Sequence, residues 1–300
     1  MTAITTAATN TAAAPAARPS AVRAVLRNRL GAVAVTVLVL MVLVAVFAPL
    51  IAPYDPSAQD LLVRLHPPAW QTGGDASHLL GTDQLGRDIL SRLCYGARIS
   101  LLVGACAALL AGIVGAVIGL VAGFLGGWFD RILMRLADIQ LAFPPILLAL
   151  AIVGFLGSGL WYVVLVLGFT GWVSYARVIR SEVLSLRTRE FVTEARAIGV
   201  TDLAIMRRHL LPNVMAPLAT IGTLHVAAAI VAEASLSYLG LGVPKQTVTW
   251  GGMLSDGQLY LGTSWWVAVF PGIALMITAL AVNITGDVLR DVADPKAYRS

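Results

Sequence analysis

Hydrolysis of a nucleoside triphosphate in a P-loop needs a lysine, and this sequence has only two to offer. Lys245 stands in Pro-Lys-Gln and Lys296 in Pro-Lys-Ala. Neither sits in G-x-x-x-x-G-K-[ST], where backbone amides and the amine together neutralise the phosphates. The four histidines, His66, His78, His209 and His225, form no H-E-x-x-H or other metal spacing, and no G-x-S-x-G elbow accompanies them. Cys94 and Cys106 also lack a metal-type spacing and read as packing residues. No catalytic residue, metal site or cofactor is therefore expected. The chain reads as a non-enzyme, and any ATP it depends on must be hydrolysed by another subunit.

Three ionisable residues stand within or beside apolar stretches, Asp138, His225 and Glu233. Such groups are costly in a membrane and are candidates for function. His225 is nearest the centre of its stretch, where contact with a pore or substrate competes with a satisfied packing role. Asp138 and Glu233 lie closer to the ends, where hydration favours a structural role.

The elements that would hold these residues follow from composition. The 300 residues are 58% hydrophobic and 12% charged, too apolar for a soluble domain. Spans of about 20 apolar residues are needed to cross a bilayer, and six are found, near 30–52, 99–124, 133–156, 158–178, 214–236 and 265–286. The first is too long and starts too late to be a cleaved signal peptide. The Ala/Thr-rich stretch before it, Met1–Ser20 with Pro15 and Pro19, reads as disordered. With the N-terminus inside, 16 Lys and Arg fall on the cytoplasmic side against five outside, so both termini are expected in the cytoplasm. The net charge of +5 is then a topology signal, and nucleic acid has no place among the partners.

The expected organisation is all-α: a basic N-terminal segment 1–29, a first membrane helix 30–52, an extracytoplasmic loop 53–98, a five-helix core 99–286 and a cytoplasmic tail 287–300. The loop is rich in turn residues, with Pro53, Pro56, Pro67, Pro68, Gly73 and Gly74. Gly115, Gly119, Gly123 and Gly127 repeat at four-residue spacing and predict a ridge on which another helix packs closely. Pro144 and Pro145 predict a break midway through the third span, and Pro271 a kink near the start of the sixth.

Between the fourth and fifth spans, 188–212 looks helical yet is too polar to cross. Phe191, Ala195 and Ile198 make one apolar stripe ended by Gly199, which fits a left-handed cap. Thr201 and Asp202 start a second helix striped by Leu203, Met206 and Leu210, and Pro212 is expected to stop it. Such a helix pair suits a groove on another protein, or an anionic lipid surface.

This element resembles the cytoplasmic coupling motif of binding-protein-dependent ABC importer permeases, E-A-A, three residues, Gly, nine residues, I-x-L-P. The matching residues are Thr193, Glu194, Ala195, Gly199, His209, Leu211 and Pro212. Thr193 occupies the usual Glu position, Glu194 the first Ala, and His209 the Ile. The dipeptide, oligopeptide and nickel branch of that family is resembled more widely: in His78-Leu79-Leu80-Gly81-Thr82-Asp83-Gln84-Leu85-Gly86-Arg87-Asp88, in Glu233-Ala234-Ser235-Leu236-Ser237-Tyr238-Leu239-Gly240-Leu241-Gly242, and in Gly286-Asp287 through Asp294-Pro295.

The resemblance implies a type I permease fold of six membrane helices in a bacterial cell membrane, of the shorter C-type. It further implies a B-type permease partner, one or two cytoplasmic ATPases carrying ATP and Mg, and an extracytoplasmic substrate-binding protein docked on 53–98 and 237–264. Di- or oligopeptides are the implied substrates, with nickel chelates or glutathione as alternatives. A secondary transporter is the rival from another class. It would need an ion-coupling site and commonly shows inverted repeats, which are not evident here.

Overall fold

The computed structural model describes residues 29–244 and 246–293. The expected N-terminal segment, Lys245 and the end of the C-terminal tail lie outside these residues. The described residues are all helical apart from turns and one isolated bridge between Thr82 and Asp88.

Helix α1 spans Arg29–Val46, α2 Ile89–Leu125, α3 Gly127–Leu141, α4 Pro145–Leu156 and α5 Leu160–Leu186. Short helices α6, Glu190–Ala197, and α7, Asp202–Ile205, precede α8, Leu211–Tyr238. Helix α9, Trp250–Gly257, and α10, Trp266–Ala293, complete the chain. Five stretches among the described residues are long and apolar enough to cross a membrane, and α3 with α4, bent by 88°, makes a sixth.

Helix α2 begins ten residues before the expected span. Asp88 caps it by accepting the Ser91 amide at 2.8 Å and the Ser91 hydroxyl at 2.7 Å, a strong start signal. Its first turns carry Ser91, Arg92 and Arg98, so hydropathy reads them as loop although Ser91 and Arg92 are buried beneath the 53–88 segment. The third span likewise starts at Gly127 and not near 133, because α3 is amphipathic.

The glycine ridge forms, shifted by one member. A Cβ on Gly115 would lie 2.5 Å from the Trp172 carbonyl oxygen, on Gly119 2.6 Å from that of Ala176, and on Gly123 2.9 Å from the Val183 Cβ. The backbones of α2 and α5 thus touch along three turns. Gly127 lies past the end of α2, at φ +58 as the first residue of α3, with nothing near it, so it does not belong to the ridge.

Pro144 and Pro145 separate α3 from α4 as expected, while α10 runs unbroken through Pro271. Three of the four buried clusters among the described residues follow one another down the bundle, the fourth joining α3 to α5 around Ala137, Trp172 and Ala176. One, around Ile89, Ala97, Trp250, Met253 and Trp266, lies at the Trp250 end; one, around Val103, Val153, Val166 and Leu236, is central; and one, around Leu120, Ile179, Val183 and Leu210, lies at the Gly199 end.

Candidate coupling site

The helix pair α6–α7 is seated on the bundle by apolar contacts. Val192, Ala195, Ile205 and Leu210 are buried in one cluster with Leu120 and Phe124 of α2, Ile179, Val183 and Leu186 of α5 and Val214 of α8. Phe191 and Met206 pack at its edge. Of the expected stripe Phe191, Ala195 and Ile198, Ala195 is buried, while Val192 and not Phe191 is the other fully buried residue.

Ile198 is 81% exposed and Leu203 71% exposed, so neither joins the stripe predicted for it. Both flank the Gly199 corner and present apolar side chains outward. Thr193, Glu194, Arg196 and Ala197 are exposed as well, leaving both Thr193 and Glu194 accessible.

Gly199 adopts φ +82. Its amide donates to the Arg196 carbonyl at 3.0 Å and that of Val200 to the Ala195 carbonyl at 3.0 Å, the paired bonds of a Schellman cap. The outer face is otherwise polar: Arg196 lies 3.9 Å from Asp202 and 4.7 Å over the Phe124 ring. The His209 ring lies 6.2 Å from that of Phe191.

Pro212 does not stop the second helix. Met206–Leu210 form a single wide π turn that leads directly into α8, with Leu211 and Pro212 in its first turn. Pro212 has no amide to donate back into the π turn, and the Asn213 side-chain amide donates to the His209 carbonyl at 2.6 Å. The second helix and the membrane helix are thus one continuous lever. Val192, Ala195 and Ile205 join the corner to α2, α5 and α8 through this close-packed cluster. A further tie is Arg187, at the end of α5, which donates to the Gly123 carbonyl at 3.0 Å.

The other singled-out residues stand elsewhere. His225 stacks at 4.8 Å on Tyr175 and lies against Gly171 of α5, in a helix contact. Glu233 is fully buried and not hydrated as its position suggested. It accepts from the hydroxyls of Ser237 at 2.7 Å and Ser100 at 3.2 Å. Asp138 pairs with Arg177 at 2.7 Å. Cys94 and Cys106 are free thiols, and no group of His, Cys, Asp and Glu among the described residues could hold a metal.

At the Trp250 end, the Gly81–Asp88 motif builds a buried ionic cluster. The Asp83 carboxylate accepts from the amides of Leu85 at 2.8 Å and Arg87 at 3.0 Å, from the Arg87 guanidinium at 2.7 Å and from Arg92. Asp256, at the end of α9, takes the remaining arms of Arg87 at 3.1 Å and Arg92 at 3.3 Å. The Trp266 indole donates to the Thr82 carbonyl at 3.1 Å. The 53–88 segment is thereby fastened to α2, α9 and α10. In the same segment, Ser77 donates through its hydroxyl to Asp75 at 2.6 Å and holds that carboxyl below its usual range.

Residues 115–299 match the family described as binding-protein-dependent transport system inner membrane component, and residues 20–68 match the N-terminal TM domain of oligopeptide transport permease C. The chain is 45% identical over 270 residues to the dipeptide transport system permease protein DppC of Escherichia coli K12, covering 90% of both. It is 43% identical to the di/tripeptide transport system permease protein DppC of Pseudomonas aeruginosa, covering 86% of both. A glutathione transport system permease protein, GsiD of Escherichia coli, is 40% identical over 90% of this chain and 88% of its own. Among solved structures, an inward-facing form of the methionine ABC transporter MetNI superposes with a TM-score of 0.54 at 20% identity, over 68% of this chain and 97% of that one, a likeness of fold.

Proposed function

The chain belongs to the family of binding-protein-dependent transport system inner membrane components, and we propose that it forms half of the translocation pathway of a short-peptide importer whose separate ATPase subunits seat on the α6–α7 corner. The observation that carries this reading is the corner itself: Ile198 and Leu203 exposed beside a Schellman turn, on a bracket whose reverse side is buried against three membrane helices. An exposed apolar patch of this kind marks an interaction surface.

In this reading both termini and α6–α7 lie in the cytoplasm, and the 53–88 and 239–265 segments lie outside, where they meet a substrate-binding protein. ATP and Mg are bound by the ATPases. A B-type permease supplies the other half of the pathway. Closure of the ATPases pushes on the corner, and the continuous π turn and α8 carry the movement into the bundle.

Peptide substrates are supported by the dipeptide and di/tripeptide permease relatives. The glutathione permease relative supports a second reading, a modified tripeptide. Uptake competition by dipeptides, tripeptides, glutathione and nickel, in a strain lacking the chain and complemented by it, separates the two. Competition by dipeptides at micromolar levels is expected, and competition by glutathione alone overturns the peptide assignment.

Gly199→Val tests the coupling role. Nothing lies within 4 Å of the added Cβ, so its cost is backbone strain of about 1–2 kcal/mol confined to the corner. A distortion of that size changes an equilibrium by about 5–30-fold. The complex should assemble normally while peptide uptake and substrate-stimulated ATPase fall together by that order. Wild-type values for both in an assembled complex would remove the corner from the coupling path.

A further inference from the structure

Helix α3 carries Arg131, Arg135 and Asp138 at i, i+4 and i+7, all exposed, a spacing that puts them on one face. At the far end of this stripe Asp138 meets Arg177 of α5, and the two side chains remain 53% and 48% exposed. The pair lies deep. Arg177 stands nine residues before the end of α5 and Asp138 eleven residues into α3, about 14 and 17 Å along the axes at 1.5 Å per residue. Within a span an exposed charge facing acyl chains is costly, and such groups face a water-filled cavity or another charge.

The exposed pair is also not what holds α3 to α5. Arg180 grips Asp130 with two bonds of 2.5 and 2.6 Å, in a less exposed site. Beyond the pair, the Trp172 indole donates to the Gln140 side-chain oxygen at 2.7 Å, and the Gln140 amide donates to the Thr170 carbonyl at 2.8 Å. With a clamp on each side, Asp138 and Arg177 can separate without freeing the helix. Gln140 stands beside the 88° break before α4.

We propose that this face of α3 and α5 lines an aqueous stretch of the pathway, in which Asp138 and Arg177 exchange each other for the ammonium and carboxylate ends of a passing zwitterionic solute. The inference rests on the permease reading and specifies its substrate chemistry. Each charge keeps a counter-charge throughout, so neither the solute nor the pair is left unpaired in a low-dielectric surrounding.

The test uses single cysteines in the complete importer complex, in inside-out vesicles, with Cys94 and Cys106 replaced by alanine. A charged, membrane-impermeant thiol reagent should label Asp138→Cys, Arg177→Cys and Arg135→Cys within about tenfold of the rate at Ile198→Cys. Leu109→Cys, an exposed apolar position on α2, should stay unlabelled. Arg135→Cys retains both members of the pair, so it also reports occupancy: excess dipeptide should slow its labelling several-fold, and an N-acetylated, C-amidated dipeptide should not. It serves equally if either pair variant fails to assemble. Labelling at the Leu109→Cys rate, or labelling indifferent to dipeptide, overturns the proposal. Because the alanine background is first shown to take up dipeptide, such a result leaves the permease reading standing.

Discussion

Asp83→Ala should cost about 3–5 kcal/mol, the range for removing one partner of a buried ion pair. Asp83 is 1% exposed and accepts two backbone amides and two guanidinium groups. Its loss leaves Arg92, 3% exposed, with Asp256 as its sole remaining acid among the described contacts. The neighbouring turn also loses its template, since Leu85 and Arg87 are held by the same carboxylate. The purified complex should melt well below wild type, and the 53–88 segment should become sensitive to protease added from outside. Asp83→Asn keeps the shape and some acceptor capacity and should fall between. A wild-type melting profile for Asp83→Ala would mean that this cluster does not fasten the segment.

Gly119→Val should be nearly as damaging for a different reason. The new side chain would project from a Cβ position 2.6 Å from the Ala176 carbonyl oxygen, 2.8 Å from the Ile179 Cβ and 3.1 Å from the Arg180 amide nitrogen. Two of these three are backbone atoms and cannot rotate away. Helices α2 and α5 must part, and overpacking of this kind costs about 1–3 kcal/mol or more. Separation would also strip contacts at Gly115 and Gly123, so little assembled complex should be recovered. Gly154→Ala is the control: its Cβ meets nothing within 4 Å, and helix propensity predicts a gain of up to about 1 kcal/mol. Equal recovery of the two variants would contradict the ridge packing.

Apolarity made the membrane helices legible in sequence, because bilayer thickness fixes their length. The Gly199 corner was legible too, since few residues other than glycine accept φ +82. Starts and faces were harder. The polar opening turns of α2 fail any apolarity criterion, yet they are helical because Asp88 caps them and the 53–88 segment covers them. The amphipathic α3 was cut short for the same reason, so Asp138 was read as lying nearer the end of its span than it does.

In the α6–α7 element the helices and their glycine turn were legible, but not which faces are buried. Helical periodicity cannot choose between Phe191 and Val192 as the inward residue in an eight-residue helix, and so it buried Ile198, which is exposed. Proline at 212 signals a stop only if the preceding turn is α-helical. The π turn at Met206–Leu210 removes that condition, and nothing in the local residue types announces it. Glu233 was misjudged because only Ser237, four residues on in α8, is local to it, while Ser100 comes from α2 and meets it only in the fold.

The central claim is that the α6–α7 corner receives the ATPase. The most direct measurement is site-specific crosslinking from Ile198→Cys in the complex purified from membranes, with Phe155→Cys, 90% exposed on α4, as the control. A short bifunctional thiol reagent should join Ile198→Cys to a subunit that carries the nucleotide-binding motif this chain lacks, in a yield that changes on adding ATP, and should leave Phe155→Cys unjoined. Failure of Ile198→Cys to reach any ATPase in a complex competent for ATP-driven uptake would contradict the account.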